Sequence, residues 1–274
     1  MRINHNISAL NTHRQLSFNN LNSSKSMEKL SSGFRINRSA DDAAGLSISE
    51  KMRGQIRGME QASRNSQDGI SLIQTAEGAM ATVSDMLVRV RELATQAANG
   101  TYSATEDLAR IQEEVTEIAK QITNVKDNTK FNGIKLLDGS KDVQLHIGQE
   151  STQTLTLTLS AVTNNLAAVD TAVTAYNLGT QAGAVTALAN VETRINAVSA
   201  ARSYLGANQN RLEHTINNLD TTAENLQAAE SRIRDVDMAK EMMNFTKNNI
   251  LTQAAQSMLA QANQQPQGVL QLLR

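Results

Sequence analysis

The chain has no cysteine and no tryptophan, a single proline, and only 3% aromatic residues among its 274. Without thiols there are no disulfides and no thiolate metal sites, and the redox compartment stays open, because a cysteine-free chain serves equally inside or outside a cell. With so few rings, Ala, Leu, Ile, Val and Met must do the packing, which suits an extended helical protein better than a compact globular core. Charge of one sign is also missing: the formal net charge is −1 and the pI near 6.4. That balance excludes a strong pull toward nucleic acid or anionic membrane, since phosphate binding needs clustered Lys and Arg. There is no transmembrane span, and Met1 to Leu10 carries Arg2 but neither a continuous apolar stretch nor a small-residue cleavage site. It reads as no Sec-type signal peptide. If the protein is exported, another machine recognises it, and a disulfide-free chain suits passage through a narrow channel while unfolded.

What is present is an apolar seam in the last third. Val191, Val198, Leu205, Leu212, Leu219, Leu226 and Ile233 repeat every seven residues, with Leu188, Ile195, Ile216 and Ala223 between them. The other four-residue steps land on Arg202, Gln209 and Glu230, so the stripe is narrow and partly polar, as in a helix pairing with a few neighbours. The spacing predicts a helix over about 184–234, roughly 75 Å long at 1.5 Å per residue.

Earlier in the chain, Ile3, Ile7, Leu10, Leu21, Met27 and Leu30 fall at helical spacing over residues 1 to about 33, diluted by Asn and Ser. The pattern breaks at Ser31, Ser32 and Gly33, and the polar run from Arg35 through Asp41, Asp42 and Gly45 marks a boundary. Periodicity returns from about Leu46 to Ala98, clearest at Ile73, Ala76, Met80, Val83, Leu87, Val90, Ala94 and Ala97, and Asn99 with Gly100 ends it. Gly54, Gly58, Gly69 and Gly78 inside this helix each cost about 1 kcal/mol against Ala, which suggests close approach of neighbouring backbones. A third helix carries Leu108, Ile111, Val115, Ile118, Ile122 and Val125, with Glu106 and Asp107 placed for its dipole. Asn132-Gly133 and Asp138-Gly139 punctuate the chain, after which Val143, Leu145 and Ile147, then Leu155, Leu157 and Leu159, alternate with polar residues. This predicts a β-hairpin turning across Gly148 to Thr154. Residues 160–183, rich in Ala, Thr and Asn, read as a distal turn into the long helix, which makes an antiparallel rod.

Beyond Asp235, Met238, Met242, Met243, Phe245, Ile250, Leu251, Ala254, Ala255, Met258, Leu259 and Ala262 make an apolar, Met-rich helix, which Pro266 is expected to interrupt before Leu270, Leu272 and Leu273. A terminal helix this apolar, mirrored by the amphipathic first segment, needs a partner surface. The polymerisation residues are therefore expected to be Ile3, Ile7, Leu10, Met242, Phe245, Ile250, Leu251, Met258, Leu259, Leu270 and Leu273.

Enzymatic residues are absent. His5, His13, His146 and His214 are scattered outside any metal-binding spacing, and the carboxylate pairs Asp41-Asp42 and Glu113-Glu114 are adjacent in sequence, so their members point in different directions on a helix. No phosphate loop or nucleophile elbow occurs. Arg53, Arg57 and Arg64 read as a solvated helix face. No catalytic, cofactor or metal site is expected.

Two stretches resemble bacterial flagellin. The N-terminal one reads Met1-Arg2-Ile3-Asn4-His5-Asn6, Leu30-Ser31-Ser32-Gly33-Phe34-Arg35-Ile36-Asn37 and Asp41-Asp42-Ala43-Ala44-Gly45-Leu46. The C-terminal one reads Asn210-Arg211-Leu212-Glu213, Glu230-Ser231-Arg232-Ile233-Arg234-Asp235-Val236-Asp237 and Val269-Leu270-Gln271-Leu272-Leu273-Arg274. Together they cover roughly 1–140 and 185–274, and their details look like those of Bacillus-type flagellins. The resemblance implies a mainly α fold: an antiparallel helical rod over 45–234 with a small β-hairpin near 140–160. Residues 1–44 and 235–274 would form the inner tube of a filament as a coiled coil that orders only on assembly. It implies a secreted, extracellular filament subunit that polymerises with itself for motility, exported unfolded by the flagellar type III apparatus and served by an export chaperone, a filament cap and junction proteins. Large outer domains common in the family are missing. The family's motif for a host Toll-like innate immune receptor is matched by Arg89-Val90-Arg91-Glu92-Leu93, which implies receptor contacts at Arg89, Leu93 and Glu114, although Leu93 also lies near the apolar seam.

Two other readings differ in class or place. A membrane-inserting secreted effector would need about 18 or more continuous apolar residues, and Lys240, Glu241 and Lys247 interrupt the C-terminal stretch. A hook–filament junction protein of the same superfamily matches the rod and terminal motifs less well.

Overall fold

The computed structural model describes residues 6–103, 106–138, 142–160, 169, 172–173 and 175–272, with side chains as far as residue 264. Among these are five long helices, α1 (Ile7–Ser32), α2 (Ala43–Ala97), α3 (Asp107–Asn128), α4 (Gln181–Arg234) and α5 (Met238–Leu272). Four short strands join them, β1 (Lys130–Phe131), β2 (Ile134–Lys135), β3 (Val143–His146) and β4 (Thr154–Leu157). The fold is mainly α, as the seam and composition predict. The chain divides into two compact units, Arg57–Ala223 and the described parts of Met1–Ile56 with Glu224–Arg274.

The Arg57–Ala223 unit is built on the predicted seams. All eight periodic residues of α2, from Ile73 to Ala97, are fully buried, and they share one core with Leu108, Ile111, Val115 and Ile122 of α3 and with Val191, Val198, Leu205 and Leu212 of α4. Along α4 the heptad is fully buried only as far as Leu212; Ile216, Leu219 and Ala223 are half-exposed. The hairpin β3–β4 pairs Val143 with Leu157 and Leu145 with Leu155, so its apolar residues face the core and its turn falls over 147–153. Tyr204 of α4 fastens it: the Thr158 N–H donates to the Tyr204 Oη at 3.1 Å, and that hydroxyl donates to the Thr158 Oγ1 at 3.0 Å.

A second hairpin, β1–β2, pairs Phe131 with Ile134 around Asn132-Gly133. Both turn residues have positive φ, 47° and 78°, the geometry of a type I′ turn whose twist matches that of the strands. In the sequence the same dipeptide reads only as punctuation. Of the four helical glycines, two meet neighbours: a Cβ at Gly69 would run into Leu145 and approach Leu212 to 3.3 Å, and one at Gly58 would approach Gln149 to 3.3 Å. Gly54 and Gly78 face open space, so close approach does not explain them. The expected distal turn over 160–183 lies largely outside the described residues, though Val169, Val173, Tyr176 and Leu178 within it are buried in the core.

In the other unit α1 and α5 pack against each other. Helix α1 closes on Gly33 in the left-handed region (φ 75°), whose N–H donates to the Lys29 carbonyl at 2.9 Å. Helix α2 then starts at an N-cap inside the run that reads as turn: the Asp42 Oδ1 accepts from the Gly45 N–H at 2.9 Å. One expectation is corrected. Pro266 does not interrupt the last helix, since α5 runs through it to Leu272. A proline inside a helix withdraws one N–H and leaves the carbonyl four residues back without a partner. That carbonyl is Ala262, and the Asn6 side-chain amide donates to it through Nδ2 at 2.7 Å.

Candidate interaction surfaces

The paired faces of α1 and α5 follow a heptad but carry mostly small and polar side chains. On α1 the positions turned from solvent include Ala9, Thr12, Leu16, Asn19, Ser23, Ser26 and Leu30, with Asn22, Glu28 and Lys29 half-buried beside them; on α5 they are Glu241, Phe245, Asn248, Thr252, Ala255, Leu259 and Ala262. The α5 set, and the α1 set from Ala9 to Leu30 without those three, step alternately by three and four, the spacing of a coiled-coil seam. Apart from Leu16, Leu30, Phe245 and Leu259, the large apolar side chains lie elsewhere. Ile7, Leu10, Phe18 and Leu21 are exposed on α1, and Met238, Met242, Met243, Ile250, Leu251 and Met258 on α5, with Leu10 at 65% and Ile250 at 60%.

The expected polymerisation residues therefore separate into groups. Ile7, Leu10, Met242, Ile250, Leu251 and Met258 are exposed, whereas Phe245 and Leu259 are half-buried in the α1–α5 seam. Ile3 and Leu273 lie outside the described residues, and so does the side chain of Leu270. Phe18, Met238 and Met243 belong with the exposed group yet are not among the residues expected from sequence. The available signal is the repetition of Ile7 and Leu10 in Phe18 and Leu21, a stripe offset from the seam, which the intervening Asn and Ser hide.

At its other end the pair is fastened by backbone. An isolated antiparallel bridge joins Phe34 to Asp235: the Arg35 N–H donates to the Arg234 carbonyl at 2.6 Å and the Val236 N–H to the Gly33 carbonyl at 3.0 Å. The Arg35 Nη2 donates to the Ile233 carbonyl at 2.7 Å. The Arg234 guanidinium sits 4.8 Å from the centre of the Phe34 ring and pairs with Glu50 at 2.8 Å. Two of the matched motifs, one from each end of the sequence, thus meet at one junction.

On the Arg57–Ala223 unit, Arg89 of α2 reaches α3. Its Nη2 and Nε donate to the Glu114 Oε1 at 2.7 and 3.0 Å, and its Nη1 pairs with Glu92 at 3.2 Å. Glu114 first, and then Glu92, hold the Arg89 guanidinium above its ordinary pKa. Arg89 and Glu114 are both open to solvent, whereas Leu93 is 2% exposed and belongs to the core beneath them. The structure thus brings together two of the three expected receptor contacts and puts the third under the surface.

Among the described residues no group of three His, Asp or Glu could hold a metal ion, and no described helix is long and apolar enough to cross a membrane. The comparisons agree with the architecture. Residues 3–142 match the family described as the bacterial flagellin N-terminal helical region, and residues 188–273 the bacterial flagellin C-terminal helical region. The flagellin of Halalkalibacterium halodurans is 58% identical over 275 residues, covering all of this chain and all of that protein. The flagellin of Bacillus subtilis is 54% identical over 304 residues, again covering both in full. Among solved structures, the crystal structure of Bacillus cereus flagellin is 32% identical with a TM-score of 0.50, covering 61% of this chain and 94% of that one.

Proposed function

The chain belongs to the bacterial flagellin family, and from that premise we propose that it polymerises through its two terminal helices into an extracellular filament that serves as a propeller. Its role is structural, as a flagellar filament subunit, and it is not an enzyme. The observation that carries the assembly reading is the placement of apolar side chains on α1 and α5. Ile7, Leu10, Ile250 and Met258 point away from the intramolecular seam, and a solvent-exposed apolar stripe on paired helices fits burial against further copies of the chain. In this reading residues 1–44 and 235–274 build the inner tube, residues 45–234 the wall around it, and Leu270, Leu273 and Ile3 extend the inner contacts. Export unfolded through a type III apparatus, with a chaperone, a filament cap and junction proteins as partners, follows from family membership and suits a chain without disulfides.

The exposed Arg89–Glu114 pair supports a second role, as the surface met by a host Toll-like receptor, with Leu93 setting the helix position below it. Insertion into membranes as a secreted effector has no support from the described helices.

The test is negative-stain electron microscopy of the seeded, concentrated chain beside a version lacking residues 1–44 and 235–274. Long uniform filaments from the intact chain alone are expected. Filaments from both versions would refute assembly through the ends, and no filaments but dye release from liposomes would favour the membrane effector.

A further inference from the structure

We propose that Asn6 is the register lock of the α1–α5 hairpin, because its one amide completes two helices at once. Its Oδ1 accepts from the Ala9 N–H at 3.1 Å, capping α1, while its Nδ2 donates to the Ala262 carbonyl at 2.7 Å. The second bond matters because of Pro266. In a regular helix the carbonyl of residue 262 accepts from the N–H of residue 266, and proline has none. Ala262 is only 7% exposed, so water is a poor substitute.

A lock is needed because the seam does little to fix its own register. Its interior is mostly Ala, Ser, Thr and Asn, and a slip of one heptad keeps every seam position on the seam. Two devices at opposite ends resist that slip. One is the Phe34–Asp235 bridge; the other is the Asn6–Ala262 bond. The chain distance from Asn6 to Phe34 matches that from Asp235 to Ala262 to within one residue, so the two devices set the same register. Slipping by a heptad toward the interior of α5 would bring Asn6 to the Ala255 carbonyl, which already has its helical partner, and slipping in either direction would leave Ala262 with none. Pro266 thus acts as an address: it marks one carbonyl of α5 as the place where the start of α1 must dock. Asn6 is a positioning residue, and this role concerns the hairpin itself, whether or not the chain polymerises.

The test is a double-mutant cycle on the full chain: wild type, Asn6→Asp, Pro266→Ala and both together. Aspartate keeps the cap acceptor but removes the donor, and alanine restores the N–H that the Ala262 carbonyl lacks. Amide hydrogen exchange of peptides from residues 7–16 and 252–264 is followed by mass spectrometry, in the free chain and in any sedimented polymer. Asn6→Asp is expected to cut protection roughly fivefold to a hundredfold when Pro266 is present, and to have little effect in the Pro266→Ala background. A general folding role for Asn6 would not show that rescue. Equal losses in both backgrounds, no loss in either, or no wild-type protection of residues 7–16 in either state would overturn the proposal. Sedimentation of the wild type reads polymerisation separately, so a chain that fails to assemble refutes the filament reading while the exchange cycle still decides the lock.

Discussion

Leu212 and Leu219 occupy the same heptad position of α4, one repeat apart, and a reading of periodicity alone gives them equal weight. The structure does not: Leu212 is fully buried against the core, while Leu219 is half-exposed. Truncating Leu212 to Ala removes a packed side chain and leaves a cavity that α2 cannot close without moving Gly69, which already lies close to it. The cost is expected at about 3–4 kcal/mol, within the usual range for buried leucine. Leu219→Ala loses part of the transfer term and opens no closed cavity, so about 1 kcal/mol is expected. For a domain of this size each kcal/mol moves Tm by about 2–4 °C. Leu212→Ala should therefore lower Tm by roughly 6–16 °C, and Leu219→Ala by roughly 2–4 °C. The assay is thermal unfolding of the full chain by circular dichroism, held below any polymerising concentration, with urea titration as a check. Equal shifts would show that burial along α4 does not end where the structure places it. Leu219→Asp offers a sharper contrast with Leu212→Asp, because a half-exposed carboxylate reaches water and a buried one does not.

Three further outcomes are expected. Gly45→Ala should destabilise the 33–50 segment by about 1–3 kcal/mol, because a Cβ there meets the Asp42 Oδ2 at 2.5 Å and Ile36 at 2.8 Å; faster amide exchange over that segment checks it, and unchanged exchange would count against the cap. Asp41 accepts from the Arg38 N–H at 3.1 Å and the Asn37 N–H at 3.2 Å, and its carboxyl pKa is lowered, by the Arg38 bond first, with desolvation opposing and Asn37, Lys29 and Lys25 assisting. Because the folded value lies below the unfolded one, this contribution is present above the ordinary carboxylate range and is lost as pH falls through the lowered value. Amides 37 and 38 should lose protection only in acid, and Asp41→Asn should abolish that acid step. Finally, exchanging the charges of the Arg89–Glu114 pair should weaken receptor signalling in a reporter cell while leaving Tm within about 1 kcal/mol equivalent, since exposed ion pairs contribute little; unchanged signalling would remove the patch from the receptor surface.

Much of the Arg57–Ala223 unit is legible in the sequence because its signals are local and repeated. Eight consecutive α2 seam positions agree with one burial pattern, and the alternation from Val143 to Leu159 states both the hairpin and its face. The β1–β2 hairpin escapes notice because its strands hold two residues each, too few for alternation to show, leaving Asn132-Gly133 as the only signal. Pro266 misleads for a different reason. Its helix-breaking tendency is local, but the group that offsets it, Asn6, lies at the other end of the sequence. Leu93 can be placed near a seam by spacing, yet its depth depends on the core that several elements share around it, which spacing does not give.

The terminal helices show why an apolar count alone misreads this chain. Asn and Ser in α1 look like a weakened helix face, but Asn19 and Ser26 are among its most buried residues, and they lie toward α5. Burying a Leu, Ile or Met side chain is worth about 1.5–3 kcal/mol, and the intramolecular seam uses few such residues. Leu16, Leu30, Phe245 and Leu259 are the large ones there, whereas Ile7, Leu10, Phe18, Leu21, Met243 and Ile250 remain available outside. A hairpin so divided buries little within one chain, and in the proposed filament it would gain more from neighbours than from itself. On the proposed assembly reading, that asymmetry favours order of the terminal helices within the filament, and it gives the small number of specific bonds at the hairpin ends a larger share in setting its geometry. If Leu10→Asp and Ile250→Asp each abolished filaments while leaving the Tm of the chain unchanged, the division would hold. A fall in Tm as large as that of Leu212→Ala would mean that the outer stripe stabilises the single chain, and the distinction between seam and outer face would fail.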